Sequence, residues 1–218
     1  MKTRLKERDH RIVIFLSTGL VATTQQINHM FFKTEMSYRR RLLQLTKNHT
    51  IKRYRHGNDS CVYYVDSLPK DWRKRVFWTD ILIYLTDYME ELNDKLGTPN
   101  AYQMVDFKIE KSISVIVCDL WVVLKTPKGG VLLMIQASKR GAFNAKPFER
   151  LCTHYSSEFK ETLRSLEYPI IENFQYKKLG LRCFRVISCF PKDTEIFPHI
   201  SLSPKTLKED IHLIFDSF

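Results

Sequence analysis

Seven cationic side chains lie within residues 39–56, in two short groups: Arg39, Arg40, Arg41 and Lys47, then Lys52, Arg53 and Arg55. Ser37, Gln44 and His56 stand among them. Guanidinium groups donate paired hydrogen bonds to phosphates and to base edges, while ammonium groups act as point charges. The chemistry open to this set is capture of a polyanion. Residues 1–75 hold 17 Lys+Arg against 6 Asp+Glu, so the whole excess of +11 falls in the first third of the 218-residue chain. The remaining 143 residues balance at 18 against 18. A basic block beside a neutral one suggests two modules, of which one meets nucleic acid. A membrane surface fits less well, because the cations do not lie opposite one continuous apolar helical face.

The elements that must position these residues follow from periodicity. Residues 9–20 predict a helix with Ile12, Val13, Phe15 and Leu16 inward, stopped at Gly19. Thr23 followed three residues later by Gln26 is a capping box; it opens a short helix to about Met30, with Ile27, Met30 and Phe31 as its apolar face. A third helix is expected from about Thr34 to Lys47. Tyr38, Leu42 and Leu45 make its buried stripe; Ser37, Arg40, Gln44 and Lys47 make the opposite one, flanked by Arg39 and Arg41. The period then changes. Ile51–Arg55 and Ser60–Val65 read as strands around the turn His56-Gly57-Asn58-Asp59. Three helices and a hairpin, within residues 1–68, are the winged helix-turn-helix order. Arg40 and Gln44 would face base edges in the major groove of double-stranded DNA, with Lys52, Arg53, Arg55 and His56 near its phosphates. A solvated basic face and a plain hairpin are the alternative.

Residues 69–97 predict one long connecting helix, from Pro69 to a terminating Gly97, packed within the chain or against a second copy in a homodimer. Residues 98–218 read as an α/β domain. Strands are expected at Ser112–Val117, Leu120–Leu124, Val131–Ala137 and Leu181–Phe190, and helices at 144–166 and 204–217. The fold class expected is therefore a two-domain α+β/α/β chain. The second domain resembles the restriction-endonuclease-like fold. That resemblance implies a Mg²⁺ site with Asp119 and Gln136 on adjacent strands, Lys139 beside the attacked phosphate, and Glu90 or Glu91 as a helix-borne acid. Gln136 is neutral, and Lys139 stands three residues after it instead of two, which turns it to the other strand face. The pattern describes a degenerate nuclease scaffold, with no metal and no cofactor expected.

Five cysteines, with no zinc spacing among them, fit a reduced cytoplasmic protein. No apolar run is long enough to span a bilayer, and the basic N-terminus lacks the apolar length and cleavage site of a signal peptide.

The layout resembles the replication-relaxation family of bacterial plasmids and conjugative elements. The resemblance rests on Gln26-Ile27, Phe31-Phe32, the run from Tyr38 to Leu45, Val62–Val65, Cys118-Asp119 and Leu133–Gln136. It implies a DNA-binding protein acting at a mobile element's origin or promoter, with replication or relaxosome proteins as partners. Cys118 stands where that family has proline, and Gln136 where it has an acid. A nuclease or nicking accessory, and a repressor whose second domain senses a ligand or partner, are the rival readings.

Overall fold

The computed structural model describes residues 5–32, 37–57, 60–110, 112–113, 116–137, 181–189, 200–202 and 205–216. The chain mixes α and β structure and divides into two compact units, Met1–Ile83 and Tyr84–Phe218. The first holds 17 Lys+Arg against 7 Asp+Glu, a net +10; the second holds 18 against 17, a net +1.

In the first unit, helix α1 spans Glu7–Ser17. Glu7 and Asp9 sit in its first turn, where the helix dipole favours acids. Ile12, Phe15 and Leu16 are buried, whereas Val13 is only half-buried. The helix stops where Gly19 takes a φ of 92°, its N–H donating to the Leu16 carbonyl at 3.1 Å. Strand β1, Ala22–Thr23, leads into helix α2, Thr24–Ile27. The expected capping box closes this start. The Gln26 N–H donates to Thr23 Oγ1 at 3.2 Å, and the Thr23 N–H donates to Gln26 Oε1 at 2.8 Å. A π-helical turn, Asn28–Phe32, follows and seats Phe32 in the core. Helix α3 spans Tyr38–Lys47. The hairpin consists of β2, Lys52–His56, and β3, Ser60–Tyr64. The three strands form a sheet in the order β1-β3-β2, antiparallel throughout.

Helix α4, Trp72–Leu96, crosses the division between the units. Its first half belongs structurally to the first unit. Gln26 Nε2 donates to the Val76 carbonyl at 2.9 Å and to Asp80 Oδ1 at 2.6 Å. Thr79 Oγ1 donates to the Val21 carbonyl at 3.0 Å, and Arg75 Nη1 to that of Gly19 at 2.8 Å. The sequence expectation treated residues 69–97 as a connector; packing assigns residues 72–83 to the unit that carries α1 to α3. Gln26 therefore both caps α2 and holds α4. Gln26→Ala should cost about 1–2 kcal/mol, the upper part of the range for a lost cap, because the α4 contacts go with it. Urea unfolding of the variant checks this.

In the second unit, five strands run β10-β9-β8-β7-β4. These are β4, Gln103–Ile109; β7, Leu120–Thr126; β8, Gly129–Ala137; β9, Leu181–Cys189; and β10, Ile200–Ser201. Strands β4, β7 and β8 pair antiparallel, while β9 runs parallel to β8 and β10 parallel to β9. Leu120–Leu124 and Val131–Ile135 are buried at every position, as continuous apolar runs in a central place should be. Burial also pushes the Cys118 thiol up, and neighbouring Asp119 adds to the effect.

The stretch expected as one strand, Ser112–Val117, is instead a small separate hairpin of β5, Ser112–Ile113, and β6, Ile116–Val117. Strand β4 was not expected at all. The closing helix is two short ones, α5, Leu207–Asp210, and α6, His212–Asp216. Gly97 ends α4 with a φ of 61°. Just beyond, the Asn93 side chain brackets Tyr102, donating to its carbonyl at 2.9 Å and accepting from its N–H at 2.7 Å. That clamp sets the entry into β4. The helix expected at 144–166 lies outside the described residues.

Candidate nucleic-acid interface

Helix α3 turns its residues by about 100° each, so positions can be sorted by face. Leu42 and Leu45 are buried and Tyr38 is half-buried on the inward side. Arg39, Arg40, Leu43 and Lys47 are exposed and fall within one outward arc of about 100°. Ser37 is exposed at the N-terminal edge of this face. Arg39 Nε donates to Tyr38 Oη at 3.1 Å, which aligns its guanidinium along the helix surface.

Arg41 is placed differently. Its side chain is 11% exposed, and its partner Asp9, on α1, is fully buried. Arg41 Nε donates to Asp9 Oδ1 at 3.0 Å, Nη2 donates to Asp9 Oδ2, and Nη1 donates to Gln44 Oε1 at 3.1 Å. The Lys6 N–H donates to the same carboxylate at 2.6 Å. Burial pulls the Asp9 pKa upward, but the hydrogen bonds from Arg41 and Lys6, with the charges of Arg41 and Arg8, outweigh it and leave it lowered. Arg41 is held in the opposite direction: the Asp9 hydrogen bond raises its pKa despite desolvation. This guanidinium thus spends its fork on locking α3 to α1. Arg41 was expected to flank the outward stripe and to meet DNA; it instead turns toward α1, and its bonding is internal.

The hairpin sorts its side chains by strand alternation. All of Lys52–His56 is exposed. On one face, Tyr54 and His56 meet the Trp72 ring edge-on, with centroids 6.0 and 5.0 Å away. The Arg73 guanidinium lies 4.6 Å from the same ring's centroid. Lys52 Nζ on that face donates to the Asp66 carbonyl. Arg53 and Arg55 take the other face, opposite Tyr63 and Cys61 of β3. Burial raises the Tyr63 phenol pKa most; a Thr24 hydrogen bond and the Arg53 charge oppose this, and Tyr38 of α3 is among the groups it senses. Arg53 and Arg55 therefore share one face of the hairpin, and Lys52, Tyr54 and His56 share the other, with Trp72. Asn58 and Asp59 of the turn lie outside the described residues.

Asp119 is 6% exposed and stands one step before β7. The β7–β8 pairing ends at Leu120–Ile135, one step short of Asp119 and of the half-buried Gln136. Lys139 lies outside the described residues. Glu90 and Glu91 are exposed on α4. Among the described residues, no group of three or more His, Cys, Asp or Glu side chains converges as a metal site would require. Nor, among those residues, is any helix long and apolar enough to cross a membrane.

Two sets of contacts in this unit escaped the sequence reading: Asp9 with Arg41, and Trp72 with Tyr54 and His56.

No family model matches the chain, and no curated protein matches it. Among solved structures, protein VC1899 from Vibrio cholerae aligns at 11% identity with a TM-score of 0.33. The alignment covers 96% of this chain and 50% of that one, so the chain spans about half the length of that protein. A TM-score at that level establishes no common fold.

Proposed function

We propose that residues 1–83 form a winged helix-turn-helix that binds double-stranded DNA. The observation that carries the reading is the joint placement of α3 and the hairpin. Helix α3 turns Arg39, Arg40 and Lys47 outward, and β2 exposes Arg53 and Arg55 on the hairpin face away from Trp72. The order α1-β1-α2-α3-β2-β3, with its β1-β3-β2 sheet, supports the same reading. So does the net charge of +10 on this unit against +1 on the other. In this reading α3 enters the major groove, and the two hairpin arginines take phosphates alongside it. Arg41 serves by fixing the helix.

The second unit, by its resemblance to a degenerate restriction-endonuclease-like domain, would hold partner proteins or a second copy. Asp119 with a neutral Gln136 offers Mg²⁺ one carboxylate where such a hard ion favours several. The protein would then be a sequence-specific, non-enzymatic DNA-binding protein, acting at an origin or promoter of a bacterial mobile element.

Fluorescence anisotropy of the full chain with labelled duplexes tests this. With about four phosphate contacts, affinity should fall roughly 100-fold between about 50 and 200 mM salt. A weak, salt-independent interaction would sink the proposal. Plasmid nicking with Mg²⁺ or Mn²⁺ that disappears in Asp119→Ala would instead favour a nuclease.

A further inference from the structure

We infer that the second face of the hairpin, where Tyr54, His56, Trp72 and Arg73 come together, is a platform for single-stranded DNA. This goes beyond the duplex reading, since Arg53 and Arg55 lie on the opposite face. Only the choice of DNA over RNA rests on that reading.

The first observation is the aromatic cluster. Tyr54 and His56 stand two residues apart on β2, so both project to the side of Trp72. Their rings meet the Trp72 ring at interplanar angles of 62° and 69°. An edge-on contact occupies a face of one ring and only the edge of the other. Tyr54 is 43% exposed, His56 is exposed and Trp72 is half-buried, so the cluster presents ring surface to solvent.

The second observation is the charge set among these rings. Helix α4 opens at Trp72 and has no acid in its first turn; Arg73, Lys74 and Arg75 follow at once. Cations at this end work against the helix dipole. Asp71 offsets one of them, accepting from Arg75 Nε at 2.9 Å. Arg73 is exposed, with its guanidinium over the Trp72 ring, and Lys52 adds an ammonium on the same hairpin face. An anion brought to this face relieves the charge, and an unstacked ring covers the aromatics. A single strand offers both at once: its phosphates meet Arg73 and Lys52 while a base stacks on Tyr54 or His56. A duplex keeps its bases stacked on one another and shows these rings only edges and backbone.

The experiment uses the full chain and a labelled oligothymidine of about 12 nucleotides, which forms no duplex. Anisotropy should show binding that weakens with salt. Of the three tryptophans, Trp78 and Trp121 are fully buried, so quenching of intrinsic fluorescence reports on Trp72. Tyr54→Ala should weaken oligothymidine binding about 5- to 150-fold and leave the salt slope for duplex unchanged, and Tyr54→Phe should restore the affinity. The double variant Arg53→Ala, Arg55→Ala should do the reverse, weakening duplex binding alone. No oligothymidine binding at low salt overturns the inference. So does binding that the double arginine variant loses and Tyr54→Ala keeps, because the strand then lies on the duplex face. Tighter binding to oligouridine RNA overturns the choice of DNA. Oligothymidine binding without duplex binding sinks the duplex reading and leaves this platform standing.

Discussion

Replacing Asp9 with Ala lowers the stability of residues 1–83 by about 3–5 kcal/mol, a large share of what a small domain has. The loss does not measure the worth of the ion pair. It comes from leaving the Arg41 guanidinium, 11% exposed, without the carboxylate that neutralises it. Two elements loosen together, because this pair joins α1 to α3 across 32 residues of sequence. Hydrogen exchange of the α3 amides, read by mass spectrometry, reports the change in this unit alone. A loss below about 1 kcal/mol would mean that water reaches Arg41 easily. The pair also sets a pH dependence. Burial raises the Asp9 pKa, but its hydrogen bonds and cationic neighbours bring it below the ordinary 3.8. A depressed carboxylate contributes its stability above the unfolded pKa and loses it as pH falls through the folded one. Acid weakening from this source therefore begins below about pH 4 and is absent from Asp9→Asn.

The double substitution Arg53→Ala, Arg55→Ala should flatten the salt dependence of duplex binding by about two in slope and weaken binding to all sequences alike. The expected loss is tenfold or more at low salt, because two phosphate contacts disappear. Arg40→Ala should behave differently and remove about 1–3 kcal/mol of discrimination at a particular base pair. The hairpin supplies an internal control. Lys52 and His56 lie on the face occupied by Trp72, so Lys52→Ala and His56→Ala should leave the slope nearly unchanged. Anisotropy titrations over a salt series distinguish these cases. Equal slopes for the double variant, Lys52→Ala and His56→Ala would show that strand alternation does not divide the hairpin into two functional faces.

Local rules carried much of the fold. The Thr23–Gln26 box was legible because both of its hydrogen bonds close within three residues. The β7–β8 hairpin was legible because apolar runs flank a turn whose Thr126 hydroxyl donates to the Gly129 carbonyl at 2.8 Å. The exposure of Arg40 and Lys47 on α3 followed from period alone, whereas Gln44, expected on the same stripe, is half-buried and accepts from Arg41. Reading failed where the deciding partner was remote. Arg41 looked like its neighbours Arg39 and Arg40, and only the position of Asp9 sets it apart. Strand β4 was hidden because Asp106 and Lys108 interrupt its apolar residues, and its register shifts between Met104 and Asp106. The β-branched content of Ser112–Val117 suggested a long strand, but propensity does not say which strand will pair with it. The first half of α4 looked like a linker because length and amphipathicity do not reveal that Gln26 and Thr79 anchor it.

The parallel pairing of β8 with β9 constrains the order in which the chain can mature during synthesis. Gly130 pairs with Leu181, so the apolar strand Val131–Ile135 leaves the ribosome well before the neighbour that covers one of its edges. At about 5–20 residues per second, that edge waits for roughly 3–10 seconds. Every strand of the first unit has been made by then, and its sheet can close without any later segment. The nascent protein therefore passes through a stage in which the basic unit is complete while the second unit still presents an unpaired apolar edge. Chaperone demand and aggregation should be concentrated in that interval.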